Sequence, residues 1–156
     1  LRGTKLLSLH DTFLAEANLS LRDVCGDMLE IQMELESRNA AQLGIKVRCT
    51  PDGEEETLLY YDFNEAKLLV DRTKTTLHPG EKCRRVQGGK LELLGENLKL
   101  HIYLDRSMVE AYANGLKSLT TRVYPSRKDA LGLEIWGDGE LLIKSLDIWN
   151  MQSIWQ

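Results

Sequence analysis

Aliphatic and polar residues alternate along much of the chain, most clearly between positions 98 and 124. From Leu98 to Leu104 every second residue is aliphatic, and the alternation resumes from Val109 to Ala113. A period of two places the apolar residues on one face of a β-strand. Asn114-Gly115 supplies the positive φ angles of a tight hairpin, and a third strand, Ser118 to Tyr124, ends before Pro125. The pattern predicts a three-stranded antiparallel meander.

In the stretch Asp27–Glu36 the hydrophobic period and the helix propensity point to different structures. Its apolar residues alternate with glutamate and glutamine, which predicts a strand, although Glu, Gln, Met and Leu all favour helices. In a helix, Leu29 and Met33 would lie on the polar face. The strand is therefore the preferred interpretation.

Segments of the same kind fill the rest of the chain. The other predicted strands are Leu43–Thr50, Thr57–Phe63, Lys67–Arg72, Leu131–Trp136 and Leu141–Trp149. The predicted turns are Pro51-Asp52-Gly53, Asn64-Glu65 and Gly137-Asp138-Gly139. Thr4–Leu9 and Thr12–Leu21 predict short, weakly patterned β segments, and Thr73–Gly89 predicts a long polar loop.

About ten short strands separated by turn signals, without a convincing helix, predict an all-β fold. We expect a two-sheet antiparallel β-sandwich of the jelly-roll or lectin-like kind, with little or no helix. A chain of 156 residues fits one domain that buries a core without disulfides or metals. Residues 1–156 are therefore predicted to form a single sandwich domain.

Composition argues against two classes of partner. The net charge of −4 and the 28% of charged residues give no field that would attract nucleic acid or an anionic membrane. No apolar run approaches the length of a membrane span, and nothing at the start resembles a signal peptide. We expect a soluble chain, cytoplasmic or secreted, and a processed or excised piece of a longer protein, because it begins at Leu1 without methionine.

Cysteines and histidines give no metal or redox motif. Cys25, Cys49 and Cys83 cannot all pair within one chain, so burial of Cys49 as a small hydrophobe is expected, with a Cys49–Cys83 disulfide as the alternative. The histidines are scattered, and their spacing in the sequence places no carboxylate beside any of them. Likewise, acidic turns such as the one at 51–56 are typically solvated and match no calcium loop. Asn18 begins the sole glycosylation sequon.

Several motifs in the same order carry a family resemblance. They are YLDRSMVEAYANG and TTRVYP in the meander, GIKVRCTPDGEEETLLYYD and AKLLVDRTKT before it, and LGLEIWGDGELLIKSLDIWNMQSIW after it. Together these resemble the C-terminal β-sandwich module of glycoside hydrolase family 32, the invertases, levanases and related β-fructofuranosidases. The resemblance covers most of the chain from about Asp27 onward. It implies a partner, an N-terminal catalytic β-propeller of the same polypeptide, from which residues 1–26 would lead in.

The resemblance also implies that catalysis lies elsewhere. In the family, the nucleophile, the stabilising aspartate and the acid/base belong to propeller motifs Asn-Asp-Pro, Arg-Asp-Pro and Glu-Cys. Here Arg22-Asp23 is followed by Val24, and no glutamate directly precedes a cysteine. We therefore expect no catalytic residue, no cofactor and no metal site in this chain.

Two Asp-Arg pairs end predicted strands and raise the question of a carboxylate pair. Retaining glycosidases need two carboxyl groups about 5 Å apart. A carboxylate beside an arginine at a strand end instead suits an ion pair or an acceptor of backbone N–H groups. Glu110 is expected on the sheet surface or at a domain interface. The predicted structural motif comprises Asp71, Arg72, Asp105, Arg106, Glu110, Asn114 and Gly115.

Large aromatic residues leave a second function open. Trp136, Trp149, Trp155 and Tyr103 could stack on sugar rings, which would make the chain an independent lectin-like module for fructan, sucrose or another glycan. Aromatic residues in a sandwich more often fill the core or cover a domain interface. These four residues are therefore candidates for carbohydrate binding or for a domain interface.

Overall fold

The computed structural model describes residues 2–77 and 86–152. His78, Cys83 and Trp155 lie outside the described residues, and so does the Cys49–Cys83 pairing. The described residues form β1 (Arg2–Phe13), α1 (Leu14–Leu21), β2 (Met28–Ser37), β3 (Gln42–Cys49), β4 (Thr57–Asp62), β5 (Lys67–Asp71), β6 (Val86–Lys90), β7 (Leu98–Asp105), β8 (Met108–Ala113), β9 (Lys117–Arg122), β10 (Gly132–Gly137) and β11 (Leu141–Met151).

The strands form two antiparallel sheets, which confirms the predicted sandwich. One sheet has six strands in the order β1-β11-β2-β7-β8-β9, and the other has five in the order β10-β3-β4-β5-β6. The meander β7-β8-β9 is present as predicted, and its second turn places Asn114 and Gly115 at φ angles of 53° and 67°. The stretch with competing signals, 27–36, is the interior strand β2.

The core lies between the sheets and is built from the aliphatic face of each alternating strand. In β2 and β7 every aliphatic position of the alternation is buried, and the partners across the ladder match, such as Ile31 with Ile102. The buried residues of these two strands are Leu29, Ile31, Met33, Leu35, Leu98, Leu100, Ile102 and Leu104. The polar positions between them therefore form the outer face of the six-stranded sheet.

Two of the predictions about local structure are wrong. Thr12–Leu21 was expected to be a β segment, but residues 14–21 form helix α1, which buries Ala17 and Leu21 and contacts β10. Thr73–Gly89 was expected to be one loop, but its last residues belong to the edge strand β6. A helix of two turns and a glycine-containing edge strand both carry too little hydrophobic pattern to be predicted.

Candidate functional site

The Asp71-Arg72 corner closes the end of β5. The Asp71 carboxylate accepts hydrogen bonds from the backbone N–H of Thr73 at 2.9 Å and from its hydroxyl at 2.7 Å. This agrees with the expected acceptor role. Arg72 is buried, and its Nε has no hydrogen-bond partner within the described part of the chain. No ion pair joins Asp71 and Arg72 among the described residues.

At the Asp105-Arg106 corner, between β7 and β8, the side chains do not form the ion pair that the sequence suggests. Both side chains are exposed and make no ion pair with a described residue. The corner is held through backbone atoms instead: the Arg106 N–H donates to the carbonyl of Asp27 at 2.7 Å, and the Arg48 guanidinium donates to the carbonyl of Arg106. Arg106 has a φ of 56°, as a tight turn requires.

Asn114 fixes the turn between β8 and β9 with its side chain as well as its backbone. Its amide nitrogen donates to the carbonyl of Asn97 at 2.8 Å, and its amide oxygen accepts from the N–H of Lys99 at 2.9 Å. Gly115 has open space around it, so its positive φ is the reason for glycine there. Glu110 lies half-buried on the outer face of the sheet, opposite Tyr103.

A hydrogen-bonded cluster occupies the outer face of the six-stranded sheet at its Arg2 end. Glu30 is buried although it points outward, because Arg2 covers it and binds both carboxylate oxygens at 3.0 and 2.8 Å. The ring Nε2 of His101 lies 2.7 Å from the same carboxylate. This histidine–carboxylate pair is not predictable from local pattern, since the two residues are 71 positions apart.

The cluster keeps Glu30 ionised. The hydrogen bonds from Arg2, which outweigh the cost of burial, and the further bond with His101 lower the pKa of Glu30 from 4.5 to about 2. The same arginine covers Trp149, with its guanidinium carbon 3.8 Å from the ring centroid. Trp149 is only 8% exposed and is therefore not free to stack on a ligand.

Beside this cluster lies a set of residues that we call the tyrosine face: Tyr103, Tyr112, His101, Gln32, Glu34, Lys99 and Ser145. His101 stacks on Tyr103 with ring centroids 4.6 Å apart, and Tyr112 meets Tyr103 edge-on at 6.3 Å. Tyr112 is 45% exposed. Next to it is a shallow depression of about 250 Å³. Of the predicted aromatic candidates, Tyr103 thus lies at a surface where a ligand could approach.

The outer face of the five-stranded sheet carries an apolar row that we call the Trp136 stripe: Trp136, Tyr60, Leu69 and Leu58. The rings of Trp136 and Tyr60 meet edge-to-face, with their centroids 6.1 Å apart. They face each other across Gly44, which is the strand partner of both residues. A side chain at Gly44 would lie 1.9 Å from the carbonyl of Leu59. All four residues of the stripe are half-buried, and ion pairs of Lys46 and Lys74 with Glu56 border it.

At the opposite end from the β8–β9 turn, a carboxylate that the sequence suggested to be solvated is fully buried. Glu55 has no exposed surface and accepts four hydrogen bonds, from Leu77 N–H, from Ser126 N–H and hydroxyl, and from Arg127 N–H, at 2.6 to 2.9 Å. Burial alone would raise the pKa of Glu55, but these hydrogen bonds lower it below its usual value. Glu55 is therefore a structural anion that joins three loops.

A cleft of about 670 Å³ lies between α1 and the edge strand β10, and Cys25 and Cys49 line it. Both cysteines pair with Gly132, from opposite sides. Burial is the main cause that raises the pKa of the Cys49 thiol to about 12, so this thiol stays protonated. Cys49 is thus the buried hydrophobe that the alternation predicted.

Among residues 2–77 and 86–152, no three His, Cys, Asp or Glu side chains are grouped as a metal site would need. In the same ranges, no helix is long and apolar enough to cross a membrane.

Comparison with known proteins identifies the module. Residues 4–150 match the family described as glycosyl hydrolases family 32 C terminal. The chain is 31% identical over 162 residues to a levanase of Bacillus subtilis (strain 168), covering 99% of this chain and 23% of the levanase. It is 30% identical over 129 residues to a sucrose-6-phosphate hydrolase of Zymomonas mobilis subsp. mobilis, covering 80% of this chain and 24% of that enzyme.

Solved structures share the fold. The fructan 1-exohydrolase IIa of Cichorium intybus matches with a TM-score of 0.80 at 12% identity, over 98% of this chain and 36% of that one. The exo-inulinase of Aspergillus awamori matches with a TM-score of 0.73 at 23% identity, over 98% and 28%. The chain spans about a quarter of the length of its curated relatives. It belongs to the C-terminal β-sandwich domains of glycosyl hydrolase family 32.

Proposed function

We propose that this chain is the non-catalytic C-terminal β-sandwich of a glycoside hydrolase that cleaves β-fructosidic bonds in sucrose or fructan. Its role is to pack against an N-terminal catalytic β-propeller of the same polypeptide and to stabilise it. One observation carries the proposal: the whole described fold matches a C-terminal family domain that makes up about a quarter of larger hydrolases.

The state of the buried carboxylates supports a non-catalytic role. A glycosidase acid must hold its proton near neutral pH, which requires a raised pKa. Glu30 and Glu55 are both buried, and hydrogen bonds lower the pKa of each. Both are therefore anions that hold the fold together, and neither is suited to donate a proton.

The Trp136 stripe supports a docking role. Its aromatic and aliphatic side chains are half-buried in the isolated chain, and ion pairs of Lys46 and Lys74 with Glu56 border them. Half-exposed apolar groups with a polar border are typical of surfaces between domains. We assign the catalytic domain to this face.

The test compares the catalytic domain of the parent polypeptide alone with the same domain joined to this chain. We expect the joined form to have the higher Tm and the longer half-life of sucrose hydrolysis, and the isolated chain to hydrolyse neither sucrose nor inulin. Leu69→Lys should remove much of the gain, because it places a charge on the stripe. Thr120→Lys, an exposed position on the opposite sheet, is the matched control and should preserve the gain.

Two results would contradict the proposal. Hydrolysis by the isolated chain would make it an enzyme in its own right. Equal stability of the catalytic domain with and without the chain would remove the mechanical role.

A further inference from the structure

We propose that the tyrosine face of the six-stranded sheet is a binding platform for a β-fructan chain, separate from the Trp136 stripe. The choice of fructan as the glycan rests on the proposed function. The site itself rests on the side chains that three neighbouring strands bring together.

The strand register places the platform residues side by side. Tyr112 of β8 pairs with His101 of β7, and His101 pairs with Gln32 of β2. All three point away from the core, because their neighbours in sequence are buried. Gln32, Glu34, Lys99, His101, Tyr112 and Ser145 line the depression of about 250 Å³.

Tyr112 supplies the stacking surface. It is 45% exposed, and it meets Tyr103 edge-on with the two ring centroids 6.3 Å apart. An exposed aromatic face packs against the apolar C–H face of a sugar ring, and a phenol also offers a hydroxyl to the sugar. The ring is thus accessible to a ligand while one edge contact joins it to Tyr103.

Polar side chains that reach the solvent surround this ring. Lys99 makes no ion pair and Ser145 makes no hydrogen bond through its side chain with any residue that the structure describes. Glu34 has one oxygen bound by Asn97 at 2.8 Å, and the Gln32 amide lies 3.4 Å from the His101 ring. Together these groups provide both donors and acceptors, as the hydroxyls of a sugar require.

The size and charge of the depression favour a neutral polymer over other ligands. At about 250 Å³ it is smaller than a typical pocket for a drug-sized molecule, which is about 300 Å³ or more, and it is shallow. A single sugar ring can lie in it while the chain continues across the sheet. Glu34 and Lys99 carry opposite charges, so the depression has no excess of one sign that would select an ion.

The platform is preorganised by the neighbouring cluster. His101 is fixed from two sides, by stacking on Tyr103 and by its contact with Glu30, which Arg2 holds in turn. A side chain that is already ordered loses little conformational entropy when a ligand binds. The buried Glu30 cluster therefore positions His101 without contacting the sugar.

The experiment measures binding of levan and inulin to the purified 156-residue chain by affinity electrophoresis and titration calorimetry, with dextran as the control polymer. We expect binding to levan or inulin and none to dextran. Tyr112→Ala should weaken binding about tenfold, the effect of removing a central aromatic contact. Tyr112→Phe should retain most of the affinity, and Lys99→Ala should lower it by a smaller factor.

Matched controls separate this site from other aromatic surfaces. Tyr124→Ala removes a similarly exposed tyrosine beyond the end of β9 and should leave binding unchanged. An unchanged Tm for Tyr112→Ala shows that the variant is folded. No binding by the folded wild-type chain, or undiminished binding by folded Tyr112→Ala, would overturn the platform.

Failure of fructan binding can be distinguished from failure of the proposed docking function, because different variants affect the two properties. Tyr112→Ala should stabilise the catalytic domain as the wild-type chain does, whereas Leu69→Lys should bind fructan normally and fail to stabilise. Loss of both properties in Tyr112→Ala would mean that the catalytic domain docks on the tyrosine face, and would overturn the assignment of a glycan there.

Discussion

Glu55 is the residue on which one end of the sandwich depends. Its carboxylate accepts four hydrogen bonds from segments near Leu77 and Ser126, and none of its surface is exposed. Removing a charged acceptor takes the partner from donors that are partly shielded from water. We expect Glu55→Gln to lower the free energy of unfolding by about 3 kcal/mol, measured by urea denaturation.

Glu54, one residue earlier, provides the control for Glu55. Its side chain is 56% exposed, and its contact with Arg127 is long, at 3.5 Å. Glu54→Gln should change the free energy of unfolding by about 0.5 kcal/mol or less. Equal effects of the two substitutions would mean that the Glu55 hydrogen bonds do not stabilise the fold.

Glu30 gives the fold a dependence on acid pH. Its pKa is lowered from 4.5 to about 2 by Arg2 and His101, so the folded state holds the carboxylate more strongly as an anion than the unfolded state does. The stabilisation is therefore complete above about pH 4.5 and disappears as the pH falls toward 2. The free energy of unfolding of the wild type should exceed that of Glu30→Gln by about 2 kcal/mol at pH 7. This difference should vanish near pH 2.

Thermal unfolding of both proteins between pH 7 and pH 2 measures this difference. The other buried carboxylates, Glu55 and Asp62, are present in both proteins, so their own titrations cancel in the comparison. A stability difference that stays constant down to pH 2 would show that Glu30 is not held as an anion by its partners.

At the scale of elements, α1 closes the edge of the five-stranded sheet. The side-chain amide of Asn18 donates to the carbonyl of Ile135 at 2.9 Å and accepts from its N–H at 2.8 Å, as a neighbouring strand would. An unpaired strand edge invites association with other chains. Asn18 thus occupies the backbone groups of β10 that would otherwise be free there.

Replacing Asn18 should loosen this edge. We expect Asn18→Ala to lower the free energy of unfolding by about 1–2 kcal/mol and to speed hydrogen exchange at the Ile135 amide. Ser20→Ala, a half-buried position in the same helix, should do neither. Unchanged exchange at Ile135 in Asn18→Ala would disprove the edge role. The same contact means that a glycan on Asn18 would disrupt the helix–strand contact.

Which elements the sequence could predict follows from how each is stabilised. β2 and β7 bury one whole face, so their period of two survives even where the residues favour helix. β6 pairs through its backbone and contains Gly88 and Gly89, so it shows no such period. α1 buries only Ala17 and Leu21, which is too little to mark a helix.

The site residues were harder to predict than the strands. Glu30 and His101, like Glu55 and Ser126, are about 70 positions apart, and only the pairing of distant strands and loops brings them together. Local pattern shows that Glu30 points away from the core, but not that Arg2 will cover it. Asp105, by contrast, lies in the motif that carries the family resemblance, but its side chain is exposed.

At the scale of the whole molecule, the order of strands in the larger sheet places β11 in the interior of the sheet and β1 at its edge. The two strands therefore contribute unequally to the stability of the fold. β11 lies between β1 and β2 and buries Leu141, Ile143, Leu146 and Ile148. β1 is an edge strand, whose Leu7 and Leu9 are only partly buried against the core. The first strand of the chain therefore pairs with the last, and the sheet is complete only when both are present.

Truncation should reveal this asymmetry. Deleting residues 141–156 removes an interior strand and exposes the core, so we expect a chain without a cooperative thermal transition or near-ultraviolet circular dichroism. Deleting residues 1–13 removes an edge strand together with Arg2, so the remainder should keep a cooperative transition at lower Tm and lose the acid dependence that Glu30 confers. If both truncated chains unfold cooperatively at similar temperatures, β11 is not the strand that unites the larger sheet.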